Sequence, residues 1–519
     1  MRKSVIAALS LVAALLLSAC GPKTTTCVNP LTYTDIPDSD IIRVGDDYYM
    51  VSTTMYYCPG APIMKSRDLV HWRLVNYVYD CLEDDDIYNM RDGGRHAYGS
   101  GQWATSLRYE NGLYYALFIA NDQRKTYVYT TDDIENGKWD RKVIDTPFHD
   151  ASIFFEDGRA YVVWGNGDIR ITELEPDLSA IKEGGVDQVL FSCPRKGYML
   201  RSEGAHIYHI GDYYYVLVID WPLGSVRTET CWRSKTLLGE YEPKVMLQGA
   251  FDGRSDGVAQ GPIIDTRKGD WYAVMFQDHG AVGRIPTLQP VSWVDGWPIM
   301  GDNTVPVKEF TVNLAESGSD YTWDSDEFDS PTLPLVWQWN HKPMDDCWSL
   351  SARPGWMRLT VGQSATCIRD ARNSLTQRTV GPKCESSVKL DASGMQPGDF
   401  AGICAFQSNS GEIGVLVGED SSRQVVLRLA SPRAESRDVL LAKLEGSEVY
   451  LKINYDFNTD QARFSYSLDG EQWSDSGEVL QMRFTLDYFT GYRTALFNYG
   501  PTTGGYADFD YFRQTKIGE

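Results

Sequence analysis

Ile42-Arg43-Val44-Gly45-Asp46-Asp47-Tyr48-Tyr49-Met50-Val51 joins an apolar run to paired tyrosines through a turn that contains glycine. The pattern recurs around Asn111-Gly112 with Tyr114-Tyr115, Asp157-Gly158 with Tyr161-Val162-Val163, Gly211-Asp212 with Tyr213-Tyr214-Tyr215, and Gly269-Asp270 with Trp271-Tyr272. Glycine turns between alternating aromatic and β-branched residues are hairpin signals. Aligned on Tyr49, the copies fall at Tyr115, Tyr161, Tyr214 and Tyr272. Repeats at intervals of roughly 45–65 residues, with no strong helical period, predict four-stranded blades, and five of them predict a five-bladed β-propeller. A β-sandwich would hold as many strands but does not account for five equivalent hairpins. Ser66–Trp72 and the stretch from Thr131 to Trp139 are read as outer-strand material between the inner hairpins.

The repeat stops near residue 310, and Ala315–Asp320 reads as a linker. Beyond Asp324 come short alternating runs such as Val449–Ile453 and Arg463–Ser467, with a turn at Asp469-Gly470. Many short strands without the first repeat predict a two-sheet β-sandwich. The chain is therefore read as all-β, with a propeller over 28–313 followed by a C-terminal sandwich over 324–519.

At the N-terminus Arg2 and Lys3 precede an apolar run, Val5–Leu17, and then Leu17-Ser18-Ala19-Cys20. A charged start, a short apolar core and a small-residue site read as a secretory signal over 1–19, and the core is short for a membrane span. Cysteine at that place resembles the bacterial lipobox. The resemblance implies lipidation of Cys20 and an exported body anchored by lipid in the bacterial cell envelope; an ordinary cleaved signal is the other reading.

The chain as a whole is 42% apolar and 12% aromatic, enough for large cores. A formal charge of −22 argues against nucleic acid and anionic membranes as partners and favours a neutral ligand. The nine cysteines after Cys20 show no CxxC spacing, so a zinc ribbon is not expected, and an odd number leaves at least one unpaired.

Three acids, Asp38, Asp150 and Glu203, each lie eleven residues before a reference tyrosine. In a radial fold, equal placement aims all three at one central point. A single acid there would ordinarily cap a turn or face solvent; three in register are hard to explain so. The same count gives Ala104 and Gly261 in the other two copies, small residues that would leave room for a sugar ring. Their neighbours Trp103 and Gln260 supply an aromatic face and an amide, a fitting lining for a polar neutral ligand.

The segments around these acids resemble those of glycoside hydrolase family 43, in its β-xylosidase and α-L-arabinofuranosidase branch. The likeness runs through Ile36–Arg43, Gly101–Ser106, Phe148–Phe155 and Arg201–Tyr208, and is strongest at Gly283–Val291 with Trp293 and Asp295–Pro298. The tail, Phe489-Thr490-Gly491 and Gly505–Phe512, resembles the sandwich that follows the propeller in the β-xylosidase-like members. The resemblance implies Asp38 as general base, Glu203 as general acid and Asp150 as the modulator that orients the acid and raises its pKa, with Arg284 on the sugar. Hydrolysis by inversion needs such a pair, one carboxyl protonated and one ionised, about 6.5–9.5 Å apart, and a nearby carboxylate discourages ionisation of the acid. Two departures stand out. Where the family often carries a histidine that helps hold a central metal or water, this chain has Val258-Ala259-Gln260-Gly261-Pro262, with Gln260 the nearest polar residue. No metal site and no required cofactor is expected, and the absent histidine speaks against, without excluding, a structural calcium. The family's Trp-Ala-Pro-Ser reads Trp103-Ala104-Thr105-Ser106 here, a change expected to be structural.

Other candidates rank lower. His206 and His209 are read as packing or surface residues, and Glu83–Asp86 as a solvated loop rather than a calcium site, though one that could rim the pocket. Gln277 and Asp278 either line the pocket or close the fifth blade. The expected function is an exo-acting glycosidase of xylan and related hemicelluloses, releasing xylose or arabinofuranose from neutral oligosaccharides. The competing reading is a non-catalytic glycan-binding lipoprotein, which would have no use for three acids. The sandwich either binds sugar by itself or reaches over the propeller mouth, and the resemblance favours the second.

Overall fold

Each of the five repeats becomes a four-stranded antiparallel sheet. The computed structural model describes residues 24–91, 95–318, 322–432 and 434–518; the signal segment and Cys20 lie outside the described residues. Blade I holds Asp40–Val44, Asp47–Val51, Gly60–Ser66 and Arg73–Tyr79, and blade II holds Gln102–Glu110, Leu113–Ala120, Lys125–Thr131 and Asp140–Ile144. Blade III holds Ser152–Glu156, Arg159–Trp164, Asp168–Leu174 and Asp187–Ser192. Blade IV holds Tyr198–Ile210, Tyr213–Pro222, Thr228–Ser234 and Glu242–Gln248, and blade V holds Ile263–Asp265, Trp271–Asp278, Arg284–Val294 and Trp297–Met300.

The alternating apolar residues bury between neighbouring blades. Leu117 and Val128 meet Ile153 and Val162; Val163 and Ile171 meet Ile207 and Val216; Leu217 and Cys231 meet Ala273 and Met275. Blade V closes on blade I through Val274 and Leu288 against Met50 and Met64. A latch secures the ring: Thr25–Val28 pairs with Glu309–Val312, and Asn29 bonds the backbone of Leu288 and Val307 with its side chain. Ser66–Trp72 is not an outer strand as expected. It is the turn between the third and fourth strands of blade I, where Asp68 accepts from the N–H groups of Val70 and His71. A short polar side chain that bonds its own backbone competes with the ladder, and here it wins.

The C-terminal part is a sandwich of an eight-stranded and a seven-stranded antiparallel sheet. The edge of the larger sheet comes from the propeller: Tyr57–Cys58, from blade I, pairs with Gln338–Asn340. A Cys58–Cys81 disulfide ties that strand back to blade I, and the seam is crossed by the Arg493 guanidinium 3.7 Å from the Tyr57 ring centroid and by Tyr98 stacked on Tyr488 at 4.2 Å. Propeller residues Ala281, Val282 and Ile285 belong to the sandwich core. The sandwich is thus fixed over one end of the propeller, and its loop 482–492 reaches the pocket.

Candidate active site

Asp38 and Asp150 do not sit on strands. Each lies two residues ahead of its blade's innermost strand, with φ of 50° and 48°. In both, the carbonyl just before the acid accepts an N–H from just past the end of the second strand: Thr53 to Pro37 at 3.2 Å and Gly165 to His149 at 3.0 Å. Blade V repeats this with Phe276 to Ala259 at 3.2 Å and φ of 59° at Gln260. The equivalent residue is therefore Gln260, not Gly261. The fifth hairpin pairs Ile264 with Tyr272, one residue more than Ile42 with Tyr49 or Phe154 with Tyr161, so a fixed count slips by one. A Cβ on Gly261 would meet the Val274 carbonyl oxygen at 1.8 Å, so this glycine serves strand approach and not space for a ligand. In blade II a register shift between Gln102 and Thr105 places Trp103 and Ala104 in a bulge. Glu203 lies on a strand whose register slips on both sides, and Gly204 takes the positive φ, 64°, against the Gln260 side chain.

These five positions, with His149, Arg284 and the sandwich residue Phe489, line one pocket of about 280 Å³. That is just below the roughly 300–1,000 Å³ typical of small-molecule sites and suits a small ligand such as one sugar. The residues expected to act on or bind the sugar meet here: Asp38, Asp150, Glu203, Arg284, Trp103 and Gln260. Trp103 forms an aromatic wall with Phe489, ring centroids 5.7 Å apart.

Arg284 is buried, donates to Asp38 Oδ1 at 2.8 Å, and lies 4.6 Å from the Phe489 ring centroid. Burial pushes the Asp38 carboxyl above its ordinary range, with Arg284 opposing and Asp35 and Glu203 adding to the rise. Asp150 is pushed up chiefly by burial; His149 opposes, and the charges of Glu203 and Asp38 raise it further. Burial alone would lower His149, but Asp150 and Glu203 outweigh it and hold the imidazole above its ordinary range. The arrangement thus sets two cationic side chains among three carboxyls.

Sequence reasoning missed His149 and Asn166. His149 Nε2 lies 3.1 Å from Glu203 Oε2 and 3.7 Å from Asp150 Oδ2, and the Asn166 amide donates to the same Glu203 oxygen. The signal for His149 was its place beside Asp150: neighbours on a strand face opposite ways, but the left-handed backbone at Asp150 turns both side chains into the pocket. Asn166 gave no signal, since it reaches the site from the turn between the second and third strands of blade III, away from the inner hairpin on which the repeat was read. Glu229, also missed, is fully buried beneath Gln260 and accepts its N–H at 2.7 Å. His149, Asp150 and Glu203 bring donor atoms within 4.8 Å of one another, a spacing that could hold a cation. Glu203 Oε2 already bonds His149 and Asn166, so the group is satisfied as a hydrogen-bonded cluster.

The lower-ranked candidates fall outside the pocket lining. His206 is buried 3.4 Å from Asp40, and His209 stacks on Tyr214 at the surface, as expected for packing and surface residues. Glu83 pairs with Arg141, Asp84 with Lys342 and Asp86 with Arg95, while Asp85 caps the N–H groups of Ile87 and Tyr88. Gln277 bonds Phe251 and His279, and Asp278 pairs with Arg227, so both brace loops.

Asp35 ties the two walls of the site together. Its carboxylate accepts the Arg284 N–H at 2.8 Å and the Gly491 N–H at 2.9 Å, joining propeller to sandwich two residues from Phe489. Asp35→Ala strands two buried donors. It is expected to cost ~2–4 kcal/mol, read as earlier unfolding in urea, and to raise KM as Arg284 and Phe489 loosen.

Comparison with known proteins gives a consistent picture. Residues 27–298 match the family described as Glycosyl hydrolases family 43, and residues 325–515 match the Beta xylosidase C-terminal Concanavalin A-like domain. A Beta-xylosidase of Formosa agariphila is 28% identical, covering 94% of this chain and 90% of its own length. A Non-reducing end alpha-L-arabinofuranosidase of Bacteroides ovatus is 26% identical over 93% of this chain and 94% of its own. A solved structure described as a bifunctional GH43-CE protein of Bacteroides eggerthii superposes with a TM-score of 0.90 at 43% identity; it covers 96% of this chain, which spans 64% of that longer one.

Proposed function

The chain belongs to glycoside hydrolase family 43, and from that premise we propose an exo-acting glycosidase that releases xylose or arabinofuranose from hemicellulose fragments with inversion. The observation that carries this reading is the meeting of Asp38, Asp150 and Glu203 in a pocket sized for one sugar, walled by the sandwich residue Phe489. A pocket closed in this way suits a terminal sugar better than the interior of a chain. The relatives named as a β-xylosidase and an α-L-arabinofuranosidase support both sugars.

In this reading Glu203 gives its proton to the leaving oxygen. Asp38, ionised and held by Arg284, takes a proton from the water that attacks the anomeric carbon. Asp150 stands beside His149, which bonds the acid, and serves to orient it. The substrate is a neutral xylo- or arabino-oligosaccharide, in keeping with the acidic chain. No cofactor enters these steps. A non-catalytic glycan-binding protein would bury three carboxyls at a cost with no return. We also propose export and lipid anchoring through Cys20; the Cys58–Cys81 disulfide fits an oxidising compartment.

The test compares aryl β-xylopyranosides, aryl α-L-arabinofuranosides and natural oligosaccharides. Turnover of none of them by the wild type would end the enzyme reading. Proton NMR of the first-formed sugar should show the inverted anomer. A retained anomer would make Asp38 a nucleophile and overturn its role as base.

A further inference from the structure

We propose that His149 and Asn166 are positioning residues that fix Oε2 of Glu203 as the accepting oxygen of its carboxyl, leaving Oε1 to carry the proton given to the leaving oxygen. The inference rests on the reading of Glu203 as the acid.

A protonated carboxyl has one O–H and one carbonyl oxygen, and only its hydroxyl oxygen can donate. His149 Nε2 and the Asn166 amide both address Oε2. Placing the acid hydrogen on Oε2 would set it against two N–H groups. Placing it on Oε1 satisfies all three hydrogens, so the two donors choose which oxygen is the acid. They also hold the carboxyl plane, so that the proton is delivered along one direction.

The two donors are themselves held. The His149 carbonyl is tied to Gly165, its ring lies 6.0 Å from the Trp103 ring, and Asp150 stands 3.7 Å from Nε2. The raised pKa of His149 keeps hydrogen on Nε2, where the bond needs it. Asn166 sits in the exposed turn between the second and third strands of blade III, and the turn on either side of it is closely packed. Gly165 and Gly167 have φ of 131° and 76°, and a Cβ on either would meet a neighbour at 2.2 Å. Gly167 donates its N–H to Ser202, the residue before Glu203, at 2.7 Å, and accepts from Cys193 at 2.7 Å. Acid and turn are thus laced to one another, which is the support a placed proton donor needs.

A leaving group that departs without proton donation does not need this arrangement, and one that must be protonated does. The experiment measures kcat/KM on a 2,4-dinitrophenyl glycoside and on the methyl glycoside of the same sugar, and reads the ratio. A hydrogen bond to a charged or acidic group is worth about 10- to 100-fold, so His149→Leu should raise the ratio by about that factor. His149→Gln, which keeps an N–H donor, should bring it back to within about 3-fold of wild type, and Asn166→Ala should raise it by at least about 3-fold. Loss of both rates in equal proportion means a merely structural role and overturns the proposal, as does a ratio that stays put. Asn166→Ala, on an exposed turn, decides the matter if His149→Leu fails to fold. A wild type active on both substrates with an unmoved ratio in the variants sinks only this inference; a wild type inactive on both removes the acid role of Glu203 and the inference with it.

Discussion

Asp38→Asn is expected to lower kcat by at least about 10³-fold on every glycoside, whatever its leaving group, since general base catalysis contributes about 10²–10⁴. The amide has nearly the shape of the carboxylate and keeps an oxygen for Arg284, so folding and KM should change little. What is lost is the group that takes the proton from water, and every substrate needs that step. The pH profile tests the same assignment from another side. Asp38 must be ionised to act, and burial raises its pKa while Arg284 opposes the rise. Activity should therefore climb with pH through an acid limb that lies above the ordinary carboxylate range. Arg284→Gln removes the opposing charge, so the limb should move to higher pH. Full activity in Asp38→Asn would place the base elsewhere.

The five-bladed ring was legible because its hairpins share one local sentence, glycine turn and paired aromatics, and short-range turn chemistry is strongly written in sequence. The acids were legible for the same reason: Asp38 and Asp150 keep a fixed distance from a fixed tyrosine and adopt the same left-handed backbone. Gly261 shows the limit of counting. One extra residue in the fifth hairpin moved the true slot to Gln260, and a repeat read by spacing alone cannot see a change in turn length. His149 was hidden by the same left-handed kink, since periodicity assigns neighbours to opposite faces. Asn166 and Glu229 act through contacts between separate blades, and Phe489 arrives from another domain after more than two hundred residues. Such contacts depend on how blades stack, which no local pattern encodes. The sandwich was legible as a class, but not that blade I would donate Tyr57–Cys58 to its sheet. That shared strand explains how Phe489 is held at the pocket: the two parts have no free edge between them along which to slide.

Glu203→Gln should separate substrates that Asp38→Asn does not. A sugar or alkyl leaving group departs as a strong base unless it is protonated, so removal of the acid should lower kcat/KM on oligosaccharides by about 10²–10⁴. A dinitrophenolate is stable without a proton, and on its glycoside the loss should stay within about 10-fold. Glutamine still accepts from His149 and Asn166 through its carbonyl, so the side chain should keep its place and its amide should face the leaving oxygen. The pair of variants therefore gives a crossed pattern: the base variant loses all substrates alike, and the acid variant spares the activated one. Exchange of the two patterns would mean that the roles of Asp38 and Glu203 are reversed. The buried ion pair between Arg284 and Asp38 argues against that exchange, because the guanidinium opposes protonation of Asp38. His149 and Asn166 both address Oε2 of Glu203, which leaves its second oxygen to donate to the leaving oxygen.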